Sequence, residues 1–179
     1  MKDKQKNLDV ITIKCTYMLN YLYSQVFTKE IPDELSLGFV MTGCNVHCPD
    51  CHSKHIWDIN CEGLGKPMTI EVLDKTIQQQ SWVSCILFFG GEWNAPYLNF
   101  LFNYLRKNYD YKLALYSGRD FDFLKKSIVL EQINYVKVGP YMSNLGGLDY
   151  PSTNQHLYTL RDGNIDKDIT HYFWRTNIQ

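Results

Sequence analysis

Apolar and polar positions along the chain change period several times, and each change marks an element. Leu35, Leu37, Phe39 and Met41 alternate with Ser36, Gly38 and Val40, the period-two signature of a strand. Ile70, Leu73 and Ile77 fall on one helical face behind Thr69, a residue suited to capping, so a helix is expected from Thr69 to about Gln80. Cys85-Ile86-Leu87-Phe88-Phe89 is apolar without alternation, as in a strand buried on both faces. Asn94 and Pro96 mark the start of a helix with the stripe Leu98, Leu101, Phe102 and Leu105, and Arg106-Lys107 suit its C-terminal end. A strand over 113–116, a helix over about 121–130 and a strand over 135–138 follow, closed by Gly139-Pro140.

This succession is strand–helix three times over plus a final strand, which predicts βαβ units and a parallel sheet. Four strands are too few for a closed eight-stranded barrel, so the expected fold is α/β, an open partial (β/α) barrel of mostly parallel strands. Before it, Tyr17, Met18, Tyr21, Leu22 and Gln25 stand at helical spacing and predict an amphipathic helix around 15–27 on the outside of the domain. Pro32-Asp33 punctuates that section, and 59–67 and 143–154 have loop composition. The tail reads as a hairpin, 156–160 and 165–169, around Asp162-Gly163. One domain is expected over 1–179: an N-terminal extension (1–34), a βα core (35–142) and a C-terminal loop and hairpin (143–179).

The chain has 179 residues, enough for one sizeable core, and thirteen Tyr and nine Phe to fill it. A net charge of −1 gives no electrostatic reason to expect nucleic acid or an anionic membrane as partner. The N-terminus makes a poor signal peptide, because Asp9, Lys14 and Asn20 break its apolar run, and no apolar stretch is long enough to span a bilayer. The six cysteines are therefore read in a reducing cytoplasm, where clustering points to metal or catalysis rather than disulfides.

Three of them, Cys44, Cys48 and Cys51, fall in one loop that should hang from the C-terminal end of the 35–41 strand. Active sites gather at that end of parallel sheets. Thiolates favour zinc, copper(I) or iron–sulfur clusters. Held by three cysteines, a cubane [4Fe–4S] cluster keeps one iron open for substrate or cofactor. On the loop alone, two other readings stand beside this one. One is structural zinc with His47, His52, His55 or Cys61 as fourth ligand. The other is a closed four-cysteine cluster that includes Cys61.

The C-x3-C-x2-C spacing resembles the cluster loop of radical S-adenosylmethionine (radical SAM) enzymes. The residues after it, His52 through Trp57-Asp58, resemble more narrowly the activating proteins of anaerobic ribonucleotide reductase. Gly90-Gly91-Glu92 matches the motif that contacts the methionine amino group in that superfamily. Glycines let carbonyl groups approach an ammonium closely, and a carboxylate adds complementary charge. Tyr116-Ser117-Gly118 resembles the family's hydroxyl-Gly pair, which would bring Ser117 to the cofactor's ribose. Ser152-Thr153-Asn154-Gln155 resembles a further stretch that adds Asn154. For Ser117 and Asn154, ordinary turn chemistry is the competing reading. The resemblance covers about residues 36–158. The chain departs from the family at Trp93, where a Pro is usual, at Asp50, where an aromatic is common, and at Val138, where an acid is common. His52 becomes the candidate adenine neighbour. Cys85 is read as packing, and Cys15 and Cys61 as free thiols.

The resemblance implies a [4Fe–4S] cluster on Cys44, Cys48 and Cys51, with S-adenosyl-L-methionine on its open iron. A one-electron donor such as flavodoxin or ferredoxin would drive cleavage to a 5′-deoxyadenosyl radical. That radical would abstract hydrogen from a backbone glycine of a glycyl-radical enzyme, an anaerobic ribonucleoside-triphosphate reductase above all. The alternatives are a radical SAM enzyme acting on a small molecule or another protein, and a non-catalytic zinc or iron–sulfur module.

Overall fold

The computed structural model describes residues 18–174. Its elements in order are β1 (Asn20–Phe27), β2 (Ser36–Met41), β3 (Lys66–Pro67), α1 (Ile70–Gln79), β4 (Cys85–Phe89), α2 (Ala95–Asn108), β5 (Lys112–Tyr116), α3 (Phe121–Ser127), β6 (Tyr135–Val138), β7 (His156–Arg161) and β8 (Asn164–Asp168). One open eight-stranded sheet results, in the order β3-β1-β2-β4-β5-β6-β7-β8. The four central strands β2, β4, β5 and β6 are parallel. Antiparallel pairs extend them at both edges.

Local sequence explains the crossover helices. Thr69 caps α1 by accepting from the Val72 N–H, and Asn94 caps α2 by accepting from the Tyr97 N–H. Leu73 and Ile77 of α1 and Leu98, Leu101, Phe102 and Leu105 of α2 pack on the sheet face that carries Leu37, Phe39, Ile86, Phe88, Leu113 and Leu115. Phe88 sits at its centre, stacked on Phe39 at 5.6 Å and edge-on to Phe102 at 5.5 Å. Truncating such a ring to Ala costs about 3–5 kcal/mol. The opposite face carries Cys85, Leu87, Ala114 and Leu157 and is covered by Ile31 from the β1–β2 loop. Tyr135 secures that loop by donating to Glu34 Oε1 at 2.9 Å, and Tyr116 does so by donating to the Glu30 carbonyl.

Two expectations are corrected. The helix expected around 15–27 is strand β1 over its described part, 20–27; residues 15–17 lie outside the described residues. A register shift between Tyr21 and Tyr23 interrupts the alternation. Tyr21 therefore packs on the helix-side core together with Val26, two positions of opposite parity that an unbroken strand would place on opposite faces. The helix expected over 121–130 ends at Ser127. There Asn99 of α2 intercepts the chain, donating to the Ser127 carbonyl and accepting from the Val129 N–H, both at 2.9 Å. The β-branched pair Ile128-Val129 favours the extended exit.

Candidate functional site

The cysteine loop leaves β2 through a hydrogen-bonded neck. Thr42 Oγ1 donates to the Ile59 carbonyl at 2.5 Å, and the Thr42 N–H donates to the Asn20 carbonyl at 2.9 Å. The Gly43 and Cys44 N–H groups both donate to the Ile56 carbonyl, at 2.8 and 3.1 Å, so the loop's exit closes on its entry. Gly43 has φ +83°, where a side chain would be strained. Inside the loop, His47 stacks on Trp57 with centroids 4.5 Å apart. Two sulfurs already accept backbone hydrogen bonds, Cys48 from Tyr141 N and Cys51 from Ser53 N, each at 3.3 Å.

The neighbouring strand ends complete the site. Val40, Phe89, Tyr116 and Lys137 pair in lateral register, one from each parallel strand. All four line a cavity of about 320 Å³ together with Cys44, Gly90, Gly91, Glu92 and Ser117. Gly90 and Gly91 both have positive φ, +85° and +100°, a backbone that glycine adopts without strain, and the residue after them, Glu92, lines the cavity. Glu92 is only 5% exposed, and its Oε1 accepts from Ser117 Oγ at 2.7 Å. Ser117 Oγ in turn accepts from the Arg119 N–H at 2.9 Å. Arg119 donates through Nη2 to Asn45 Oδ1 at 2.9 Å, tying the β5 turn to the cysteine loop.

Charge at the site is arranged in opposing signs. Burial raises the Cys44 thiol; the Val46 N–H lowers it, while Glu92 and Cys51 add to the rise. Lys137 is 8% exposed, and its Nζ donates to the Gly139 carbonyl at 2.9 Å. Burial pushes its ammonium down to about 8, against the pull of Cys48 and Glu92, which favour the charged form. Sequence reasoning missed Lys137. The signal lay in register: it stands beside Tyr116, as Tyr116 stands beside Phe89.

Of the residues singled out from sequence, Cys44, Gly90, Gly91, Glu92 and Ser117 share the cavity. His52 pairs with the Tyr141 ring at 4.8 Å, and both line a second, more polar cavity of about 650 Å³. Asn154 lines neither cavity. Its amide donates to the Pro140 carbonyl at 2.8 Å, bracing the turn after β6, and its Oδ1 is buried without a hydrogen-bond partner. Cys61 is buried, and its thiol donates to the His55 carbonyl at 3.2 Å. Burial pushes the Cys85 thiol up to about 12, as expected of packing. Cys15 lies outside the described residues. Among the described residues, no three Cys, His, Asp or Glu side chains are gathered as a single metal ion would need. Val138 packs in the helix-side core.

Cys44 shares its cavity with the buried Lys137 ammonium, whereas Cys48 and Cys51, on the same neck-bound loop, do not line that cavity; thiols are the ligand type that iron–sulfur clusters take. The chain matches the 4Fe-4S single cluster domain family over residues 35–156, and it belongs to that family. No curated protein matches it in sequence. Among solved structures it is similar to QueE from Escherichia coli, at 16% identity and a TM-score of 0.46, over 56% of this chain and 53% of that one. The alignment thus spans about half the length of QueE. No helix among the described residues is long and apolar enough to cross a membrane.

Proposed function

We infer that this iron–sulfur protein is a radical SAM activating enzyme, and that its substrate is a glycine in a glycyl-radical partner, an anaerobic ribonucleotide reductase above all. One observation carries the reading: Cys44 shares a cavity with Gly90, Gly91, Glu92, Ser117 and Lys137. A metal-binding thiol, a buried carboxylate beside glycine carbonyls and a buried ammonium are the groups that an amino acid end requires next to an iron.

Each residue then has a task. Cys44, Cys48 and Cys51 would hold the cluster. Glu92 and the backbone of Gly90 and Gly91 take the cofactor's ammonium; Lys137 faces its carboxylate. Ser117 orients Glu92. His52, paired with Tyr141, presents a ring to the adenine, and Asn154 acts indirectly by bracing the turn beyond Lys137. A bound cluster would supply one-electron reductive cleavage of the sulfonium of S-adenosylmethionine. Tyr23, Phe27, Val40, Met41, Ile56 and Phe89 give the cavity an apolar wall against which the cofactor would pack. The reading includes a one-electron donor such as flavodoxin or ferredoxin.

The test is anaerobic purification followed by incubation with S-adenosylmethionine, a reductant and a glycyl-radical reductase. A brown protein that forms a glycyl radical on the reductase, seen by electron paramagnetic resonance, is the expected result. Deoxyadenosine without a protein radical overturns the activase role alone. A colourless protein with stoichiometric zinc overturns the whole reading.

A further inference from the structure

The turn that carries Glu92 makes a second connection through the next residue. Glu92 points into the cavity and Trp93 points away from it. The Trp93 indole N–H donates to the Thr42 carbonyl at 2.9 Å, in the neck of the cysteine loop. The ring also lies close against that neck. A Cβ on Gly43 would sit 2.8 Å from Trp93 Nε1 and 2.9 Å from Cε2, so glycine at 43 and indole at 93 fit each other. Thr42 is already fixed through its N–H by Asn20 and through its hydroxyl by Ile59, and Trp93 takes its carbonyl. Two successive side chains therefore join three strand ends: Glu92 reaches Ser117 after β5, and Trp93 reaches Thr42 after β2.

We propose that Trp93 is a positioning residue that sets the spacing between the cysteine loop and the Gly90–Glu92 turn, and so between the metal and the amino acid end of the cofactor. The inference rests on the radical SAM reading above. Its physical content is narrow. The loop neck is held to its own exit by Ile56 and Ile59, so the loop keeps its shape without Trp93. Among the described residues, the indole is a direct hydrogen-bonded link from the neck to the Gly-Gly-Glu turn. Loss of the N–H also leaves a partly buried carbonyl unsatisfied, a larger effect than loss of a solvent-exposed bond. Removing the link should leave metal loading intact and weaken the response to cofactor.

Three forms of the full chain are compared under anaerobic conditions: wild type, Trp93→Phe, and a form with benzothienylalanine at 93, which keeps the shape of the ring and lacks the N–H. Iron and sulfide per chain, and the electron paramagnetic resonance spectrum of the reduced cluster, are recorded before and during titration with S-adenosylmethionine. Wild-type iron content and an unchanged spectrum without cofactor are expected in both variants. The concentration of S-adenosylmethionine that shifts the spectrum should rise about tenfold. Titration within twofold of wild type overturns the inference. So does a fall in iron content parallel to the loss of cofactor response, since Trp93 would then merely keep the loop folded. Wild-type behaviour in the benzothienylalanine form overturns the part assigned to the N–H. If wild type itself loads its cluster but shows no response to S-adenosylmethionine, the radical SAM reading fails and takes the inference with it.

Discussion

Ser117 donates its hydroxyl hydrogen to Glu92 across 2.7 Å, and both side chains are almost fully buried. A buried carboxylate without donors is costly, so this bond and its continuation to the Arg119 N–H fix where Glu92 can point. Ser117→Ala removes the donor. The expected outcome is a loss of about 1–2 kcal/mol of cofactor affinity, roughly 5- to 30-fold, read by anaerobic titration. Unchanged affinity would show that Glu92 is oriented by something else.

The cysteines divide by what their sulfurs touch. Cys48 and Cys51 accept N–H bonds and Cys44 lines the cavity, whereas Cys61 donates to the His55 carbonyl. Replacing any of Cys44, Cys48 or Cys51 with Ala is expected to abolish the iron–sulfur absorbance. Cys61→Ala should retain it and lose about 1 kcal/mol of stability. A Cys61 variant as depleted of iron as the others would restore the four-cysteine alternative.

Lys137 lines the cavity wall, and its ammonium donates to the Gly139 carbonyl. Exchange for Gln keeps much of the volume and removes the charge. Affinity for S-adenosylmethionine should fall by about 1.5–3 kcal/mol, more than tenfold, because a charge-assisted contact is lost. Affinity for 5′-deoxyadenosine, which has no carboxylate, should stay as it is. Equal losses for both ligands would place Lys137 away from the carboxylate.

Much of this arrangement is legible in the sequence. β4 and β6 begin and end where the apolar runs do, and Thr69 and Asn94 cap the helices they announce. The cysteine spacing and Gly90-Gly91 needed no tertiary information, since short spacing and backbone conformation are local properties. β1 and Lys137 were illegible for one shared reason: both depend on neighbours. The bulge in β1 is defined only by pairing with β2, and a lysine between two valines becomes a cavity residue only once its register with Tyr116 is known. Trp93 looked like a departure from a motif. Its partner, the Thr42 carbonyl, is 51 residues away in the chain.

Gly38 supports the floor of the cavity by having no side chain. A Cβ there would stand 2.5 Å from Phe27 and 2.8 Å from Phe89, so the two rings close over β2 at a centroid distance of 4.9 Å. Phe89 continues the row to Tyr116 at 5.2 Å. Gly38→Ala wedges the row apart, an overpacking effect of about 1–3 kcal/mol. Melting should fall by roughly 2–4 °C for each kcal/mol in a chain of this size. A melting temperature equal to wild type would mean that the rings move aside freely.

The C-terminal hairpin carries an acid-sensitive tie. Asp168 is half exposed; burial raises its carboxyl, but the Thr170 hydroxyl and N–H and the His156 ring outweigh this and hold it below its ordinary value of 3.8. Asp168 Oδ1 accepts from Thr170 N at 2.9 Å, and His156 Nδ1 lies 2.9 Å from Oδ2. A carboxyl depressed by folding contributes stability that is fully present above its unfolded value and is lost as pH falls through its folded value. Asp168→Asn should therefore melt below wild type at pH 6, and the gap should close as the pH is taken below 3.8. Any cluster lost to acid is lost from both proteins, so the difference between them isolates the carboxylate. A gap of the same size at both pH values would mean that the amide disrupts the hairpin by its shape, and that ionisation of Asp168 contributes nothing.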